Sequence, residues 1–276
     1  MINRFRTSPA WVIARTDLQQ LRQARDFWVP LSIVALLFFV IIPAVLLLLL
    51  GTVKDDDLVR QLSQVVGSLP GDLQDHVQGA KGPAQASYAL AVYLFAPLAI
   101  IVPLTVSSAV GAHTIIGERE RGSGEFLAHS PATERQIYLG KLMASLIPGY
   151  FTAAMGFAMY SLVVNLIVGP KLGGWFFPTT NWWVLVLWVL PPFIALALAI
   201  ILAISARVSS AAAAQQASAL ATLPLIVISY GVASNTLFKG QALAIAIGAL
   251  AWAGAIFALW RASYAVSRER LLGMGG

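Results

Sequence analysis

The sequence predicts an all-α integral membrane protein in which six transmembrane helices form a single domain. Of its 276 residues, 58% are hydrophobic and 11% are charged, whereas an ordinary soluble domain is about 25% charged. The apolar residues gather in uncharged runs of about twenty residues or more, and a helix of that length crosses roughly 30 Å of hydrocarbon. This composition excludes a soluble globular protein. The predicted spans are 28–50, 88–114, 142–168, 182–204, 213–234 and 241–261.

The distribution of basic residues predicts that both termini lie in the cytoplasm, because Lys and Arg collect in cytoplasmic loops. With the N-terminus inside, the cytoplasmic segments hold Arg4, Arg6, Arg15, Arg22, Arg25, Arg119, Arg121, Arg135, Lys141, Arg207, Arg261, Arg268 and Arg270. The opposite side holds Lys54, Arg60, Lys81, Lys171 and Lys239. We therefore expect a multi-pass protein of the inner or plasma membrane. The same bias explains the net charge of +6 without a nucleic-acid partner.

The segment 1–27 predicts an amphipathic helix that lies in the lipid headgroup region. Ser8 can cap this helix and Pro9 can occupy its first position. Apolar residues then recur every three or four positions while the arginines lie elsewhere, which is typical of an interfacial helix. The recurring residues are Trp11, Ala14, Leu18, Leu21, Ala24 and Trp28. The alternative is a polar lead-in whose arginines contact lipid phosphates.

Two further segments are predicted on the outer side of the membrane. The mildly acidic loop 51–87 is expected to form a small solvated cap. In the second outer segment, Trp175, Trp182 and Trp183 are expected to anchor the chain in the membrane interface, where tryptophan is enriched. Asn165, near the end of the third span, is expected to form a hydrogen bond between helices.

The predicted spans lack the ionisable residues that ion pumps and membrane enzymes use. None contains an Asp, Glu, Lys or Arg in its interior, and such residues are the usual proton and ion relays. The chain has no cysteine, and its histidines, His76, His113 and His129, lack the spacing of metal ligands. Lys141 comes directly after Gly140, but the residues around this pair do not match the pattern of a phosphate-binding loop. We therefore expect no catalytic residue, metal or cofactor in this chain, so that energy for transport must come from another polypeptide.

The cytoplasmic loop 117–141 is dense in charge and contains two glycines that permit a sharp turn. A short helix is expected after the glycines, and Ser and Pro residues that favour a helix start follow it. This second helix would continue through Ile137 and Tyr138 into the third span. In chain order the loop contains the charged residues Glu118, Arg119, Glu120 and Arg121, the glycines Gly122 and Gly124, the short helix Glu125, Phe126 and Leu127, and the helix start Ser130 and Pro131.

This loop resembles the one between the second and third spans of the ABC type-2 permease family. The family pattern is an acidic-basic doublet, Gly-Ser/Thr, Glu, a Leu pair, Ser/Thr-Pro and then Gly-Lys. One departure is Phe126-Leu127-Ala128, where the family often has two adjacent aliphatic residues. The resemblance implies that the loop forms a coupling helix that docks on a separate ATPase subunit. The docking residues that it implies are Glu118, Arg119, Glu120, Arg121, Gly122, Glu125, Phe126, Leu127, Ser130 and Pro131.

The resemblance also implies the partners. We expect two copies of an ABC ATPase, which bind ATP and Mg, together with a second copy of this chain or a related permease and membrane lipid. The complex would export an amphipathic or hydrophobic substrate such as a drug, antibiotic, lipid or glycan. Two other readings stay open at this point. One is a non-transporting scaffold or maturation factor that recruits a cytoplasmic protein, and the other is a lipid-modifying enzyme, for which no cluster of Asp, His or Ser is found.

Overall fold

The structure is a computed structural model that describes residues 8–50, 82–120, 130–205, 216, 220, 223–224, 226–228, 231 and 241–265. For 26–27, 112–120, 202–205, 241, 243 and 262–265 it describes the backbone alone. Every regular element within these ranges is helical. The α-helices, labelled α1 to α10 in order, are Pro9–Gln23, Arg25–Leu36, Ile42–Leu50, Gly82–Ala89, Leu98–Glu120, Glu134–Ile167, Gly169–Leu172, Thr180–Trp183, Leu190–Ser205 and Gln241–Ala265. The π-helical segments are Leu37–Ile41, Leu90–Leu94 and Val184–Val189.

Five stretches of the described chain are long and apolar enough to cross a membrane. We call them the first, second, third, fourth and last spans, and they are Trp28–Leu50, Gly82–Gly111, Glu134–Ile167, Thr180–Ile201 and Ala244–Arg261. Most of the predicted span 213–234 lies outside the described residues, as does most of the predicted loop 51–87. The described part of the chain is therefore all-helical, the chain is a multi-pass membrane protein, and a sixth span stays a prediction.

The second, third and fourth spans form the centre of the described bundle. Most of the second and fourth spans is buried, whereas the first and last spans expose much of their surface. Their exposed residues are large and apolar, for example Leu48, Leu250 and Phe257. Exposed apolar surface on this scale marks contact with lipid or with another protein. The packing thus agrees with a bundle that sits in a bilayer.

The amphipathic helix α1 begins at Ser8 and Pro9, the residues expected to start it. The Ser8 hydroxyl accepts a hydrogen bond from the Trp11 amide, and Pro9 fills a position whose N–H would have no helical partner. At the other end, the Trp28 indole donates to the Leu21 carbonyl over 2.7 Å. This bond fixes the corner between α1 and the first span. The location of α1 at a membrane surface stays a prediction.

The second span is interrupted at Pro97, which cannot donate a backbone hydrogen bond. On its N-terminal side the bonding becomes irregular: the Phe95 amide reaches back to Leu90, and the Ala96 amide bonds to Tyr93. The carbonyls of Ala91 and Val92 are thereby left out of the helical ladder. Such groups must find other partners inside a membrane, since no water is present there.

Two buried aromatic side chains supply those partners. The Tyr160 hydroxyl donates to the Ala91 carbonyl, and the Trp182 indole donates to the Val92 carbonyl over 2.9 Å. Trp182 is 1% exposed and stacks on Tyr160 with ring centroids 5.4 Å apart. The prediction that Trp182 anchors the chain in the interface is therefore wrong, because its N–H completes the interrupted second span. Trp175 and Trp183 are exposed.

Asn165 organises the segment between the third and fourth spans. Its side-chain oxygen accepts hydrogen bonds from the amides of Phe176 and Phe177, each 3.1 Å long, and its amide group donates to the Phe177 carbonyl over 2.6 Å. Asn165 thus binds the backbone of a loop. The prediction of a hydrogen bond between helices is therefore wrong. The irregular loop backbone has two N–H groups and one carbonyl without helical partners, and the single side-chain amide of Asn165 satisfies all three.

Candidate functional site

The candidate site is the end of the bundle where the loop 117–141 emerges, which we call the loop end. Of the predicted docking residues, Glu118, Arg119 and Glu120 continue the helix α5. Ser130 and Pro131 form a bend, in which Ser130 is half-buried and Pro131 is exposed. The remaining docking residues, 121–127, lie outside the described residues. The coupling helix and its docking surface therefore stay predictions.

The helix that leads out of the loop begins later than predicted. The expected start at Ser130 and Pro131 is wrong, because α6 begins at Glu134 with Thr133 as its cap. Thr133 and Gln136 form a capping box: the Gln136 side chain accepts from the Thr133 amide over 2.9 Å, and the Thr133 hydroxyl accepts from the Gln136 amide over 3.3 Å. This reciprocal pair satisfies two backbone donors. Ser130 and Pro131 thus remain in the connection before the helix.

The two helices that flank the loop pack closely against each other. At Gly149 of the third span, an added Cβ would collide with the side chain of Ser107 in the second span. Nearer the loop, a Cβ at Gly111 would lie 2.8 Å from Leu198 and 3.9 Å from the Ser145 hydroxyl. Small residues of this kind allow membrane helices to approach closely. The second and third spans therefore form one packed unit beside the loop.

Helix α1 packs across the beginning of the third span. A Cβ at Gly140 would lie 2.9 Å from the Ala10 carbonyl oxygen and 2.9 Å from the Ile13 side chain. Both are closer than real Cβ contacts, so α1 can sit here only because residue 140 is glycine. Gly140 was noted in the sequence for its position before Lys141, and the structure gives it this packing role.

A buried ion pair joins the same two helices. Lys141 Nζ lies 3.9 Å from Asp17 Oδ2, with Lys141 fully buried and Asp17 8% exposed. Charged groups are rarely buried unless they are paired. Sequence reasoning assigned Lys141 to the loop and overlooked Asp17. The available signal was that Asp17 falls on the helical face of Ala10, Ala14 and Leu21, the other buried residues of α1.

The comparison with known families covers almost the whole chain. The model of the family described as "ABC-2 family transporter protein" matches residues 11–270, which include most of α1, the loop and all five described spans. The chain belongs to the ABC-2 transporter family. The resemblance read from the loop is thereby confirmed. A search of the curated proteins found no match.

In this ABC-2 family member, the described part of the loop end consists of three helices held in fixed relation. Helix α1 is joined to the third span through Gly140 and the pair of Asp17 with Lys141. The third span is joined to the second through Gly149 and Ser107. The arrangement contains packing and one ion pair in place of reactive groups, as suits a membrane transport component.

Proposed function

We propose that this ABC-2 family member is the permease subunit of an ATP-driven exporter. Two separate ATPase subunits bind ATP and Mg and dock on the loop 117–141. A second copy of the chain, or a related permease, completes the complex in the inner or plasma membrane, with both termini in the cytoplasm. The substrate is amphipathic or hydrophobic, in the class of drugs, antibiotics, lipids and glycans.

The observation that carries the proposal is the continuity of the third span with the loop. This helix runs unbroken for 34 residues, Glu134–Ile167, and therefore extends about 51 Å at 1.5 Å per residue. It begins three residues after Pro131, the last predicted docking residue. A continuous helix of this length, packed along the second span, would carry a displacement of its loop end into the bundle, even though Pro148 lies within it.

The predicted docking residues are suited to pass a movement of the ATPase to the third span. Closure of the ATPases on ATP would shift the charged segment Glu118–Arg121 and the segment after it. Opposite charges at such an interface fix the register, while an apolar pair such as Phe126 and Leu127 adds buried contact. Helix α1 would follow, because Gly140 and Lys141 hold it against the third span. The spans would then open a path for the substrate.

The apolar character of the spans supports the substrate class. Among the described side chains of the five spans, one charged residue, Lys141, is fully buried, and its ammonium group is paired with Asp17. A path lined by such helices offers no fixed charge at depth, which disfavours a strongly ionic substrate. An amphipathic or hydrophobic molecule crosses this environment at lower cost.

Charge reversal in the loop tests the proposal. In the variant Glu118→Lys/Glu120→Lys, the ATPase should dissociate or lose substrate-stimulated hydrolysis by about tenfold or more, since like charges across an interface cost several kcal/mol. ATP hydrolysis and pull-down of the purified complex measure both effects. The elution volume of the variant permease should be unchanged, because both altered residues follow the end of the second span at Gly111.

A matched control reverses two carboxylates that the sequence places on the opposite side of the membrane. Asp55→Lys/Asp57→Lys changes the net charge equally and should leave ATPase binding and hydrolysis at the level of the natural sequence. Equal behaviour of the two double variants would refute docking at the loop. A permease that never associates with an ATPase would instead favour the scaffold reading.

A further inference from the structure

A lateral groove of about 840 Å³ runs between the first and third spans, and α1 covers it at the loop end. One wall is formed by α1 and the first span, including Leu21, Trp28 and Leu36. The other wall is the face of the third span from Ile147 to Met159. None of these residues belongs to the predicted docking surface.

The groove is open along its side. Toward the loop, α1 packs on Gly140 of the third span. Near the other end, Phe39 of the first span packs directly on Gly156, where an added Cβ would collide with the ring. Along the side, Phe151 and Met155 are 64% and 47% exposed. The groove is therefore a slot that opens on the outer surface of the helical bundle.

The dimensions of the slot fit one leaflet of a bilayer. The face Ile147–Met159 covers twelve helical steps, or about 18 Å. Half of the hydrocarbon thickness of a bilayer is about 15 Å. An acyl chain that enters from one leaflet can therefore lie along this face for its whole length.

The positively charged residues of the slot lie at its loop end. Arg22 and Arg25 line it there, and both are exposed. Within the described ranges, neither arginine is in an ion pair with a carboxylate. The planar guanidinium group is well suited to bind phosphate oxygens in pairs. Trp28 lines the groove together with these arginines, and its indole N–H donates a hydrogen bond to the Leu21 carbonyl.

We propose that this groove binds an anionic phospholipid from the leaflet on the loop side. The phosphate lies between Arg22 and Arg25, and one acyl chain lies along Ile147–Met159. Basic pockets between membrane helices bind acidic headgroups in this manner. Because the lipid touches α1 and both spans, it stabilises their contact. The proposal rests on the membrane location and is independent of the ATPase.

A lipid matches the groove better than a helix from a second copy of the chain. The lining is largely apolar, and its two arginines lie at a single end. This arrangement matches a molecule with one anionic group and apolar chains.

Native mass spectrometry of the full purified chain in detergent tests the site. Phosphatidylglycerol and phosphatidylcholine with identical acyl chains serve as probes. The natural sequence should retain phosphatidylglycerol preferentially. In Arg22→Gln/Arg25→Gln this preference should fall by about fivefold for each arginine lost, since a basic residue near anionic lipid contributes roughly 1 kcal/mol. Arg15→Gln, an exposed arginine of α1 outside the groove, should leave the preference unchanged.

A second variant addresses the apolar slot. Ser32 is exposed and lines the groove, so Ser32→Phe should fill it without disturbing the core and lower the binding of both lipids. An unchanged lipid preference in the double arginine variant would overturn the proposal. Complete displacement of the lipid by inorganic phosphate, or crosslinking of the groove to a second copy with no lipid retained, would do the same.

Discussion

Lys141 is a charged residue inside a helix that is long and apolar enough to cross a membrane. Its ammonium group is tolerated because Asp17 lies 3.9 Å away on α1, and because the residue sits near the start of the third span. Removing one partner of a buried pair is expensive, whereas replacing both with apolar residues is often close to neutral. The pair therefore makes the position of α1 depend on the third span.

A double-mutant cycle at these two residues gives the first stability prediction. Lys141→Met should lower the free energy of unfolding by about 3 kcal/mol, because it leaves the Asp17 carboxylate buried without its counter-charge. The combined variant Asp17→Leu/Lys141→Met should recover most of that loss. Unfolding of the purified protein in mixed micelles measures each value.

The matched control is Lys171→Met, which removes an exposed lysine at the opposite end of the third span. We expect a change within about 0.5 kcal/mol, as for most surface substitutions. If Lys141→Met and Lys171→Met behave alike, the ion pair has no role in holding α1.

At the scale of elements, the interrupted second span depends on donors from the third and fourth spans. The Ala91 and Val92 carbonyls receive the Tyr160 hydroxyl and the Trp182 indole. These two bonds connect residues 69 and 90 positions apart in the chain. They stabilise a break at Pro97 that would otherwise expose polar backbone to the membrane interior.

Removal of either donor should destabilise the bundle. Tyr160→Phe and Trp182→Phe each retain an aromatic ring and should each lower the free energy of unfolding by about 1 kcal/mol, because a buried carbonyl is left without a partner. Trp183→Phe is the control, since Trp183 is 46% exposed and should change stability by less than half as much. The same unfolding assay reports all three, and equal losses would contradict the assignment.

The sequence identifies elements better than it identifies their contacts. Span length and hydropathy are local properties, so uncharged runs such as 28–50 and 182–204 could be found without the structure. Partners such as Asp17 for Lys141, or Val92 for Trp182, depend on which helices become neighbours, and periodicity does not encode that. The expected helix start at Ser130 and the observed cap at Thr133 lie three residues apart, and the capping box of Thr133 with Gln136 fixes the observed start.

At the scale of the whole molecule, the helices of the described loop end are packed together, and we propose that they act as a mechanical connection. Helix α1, the third span and the second span are joined by close glycine contacts and one ion pair. Family membership agrees with that reading, since ABC-2 permeases in general work with ABC ATPases. The charged motif at 118–131 could be read from the sequence because its residues are adjacent in the chain. The partner that we propose for it belongs to another polypeptide.

The most direct test of the central claim is to purify the tagged chain gently from its native membrane and identify its partners by mass spectrometry, with and without an ATP analogue. We predict that an ABC ATPase is recovered in one copy per permease chain and is retained more strongly with the analogue. Repeated recovery of the intact permease without any ATPase would contradict it.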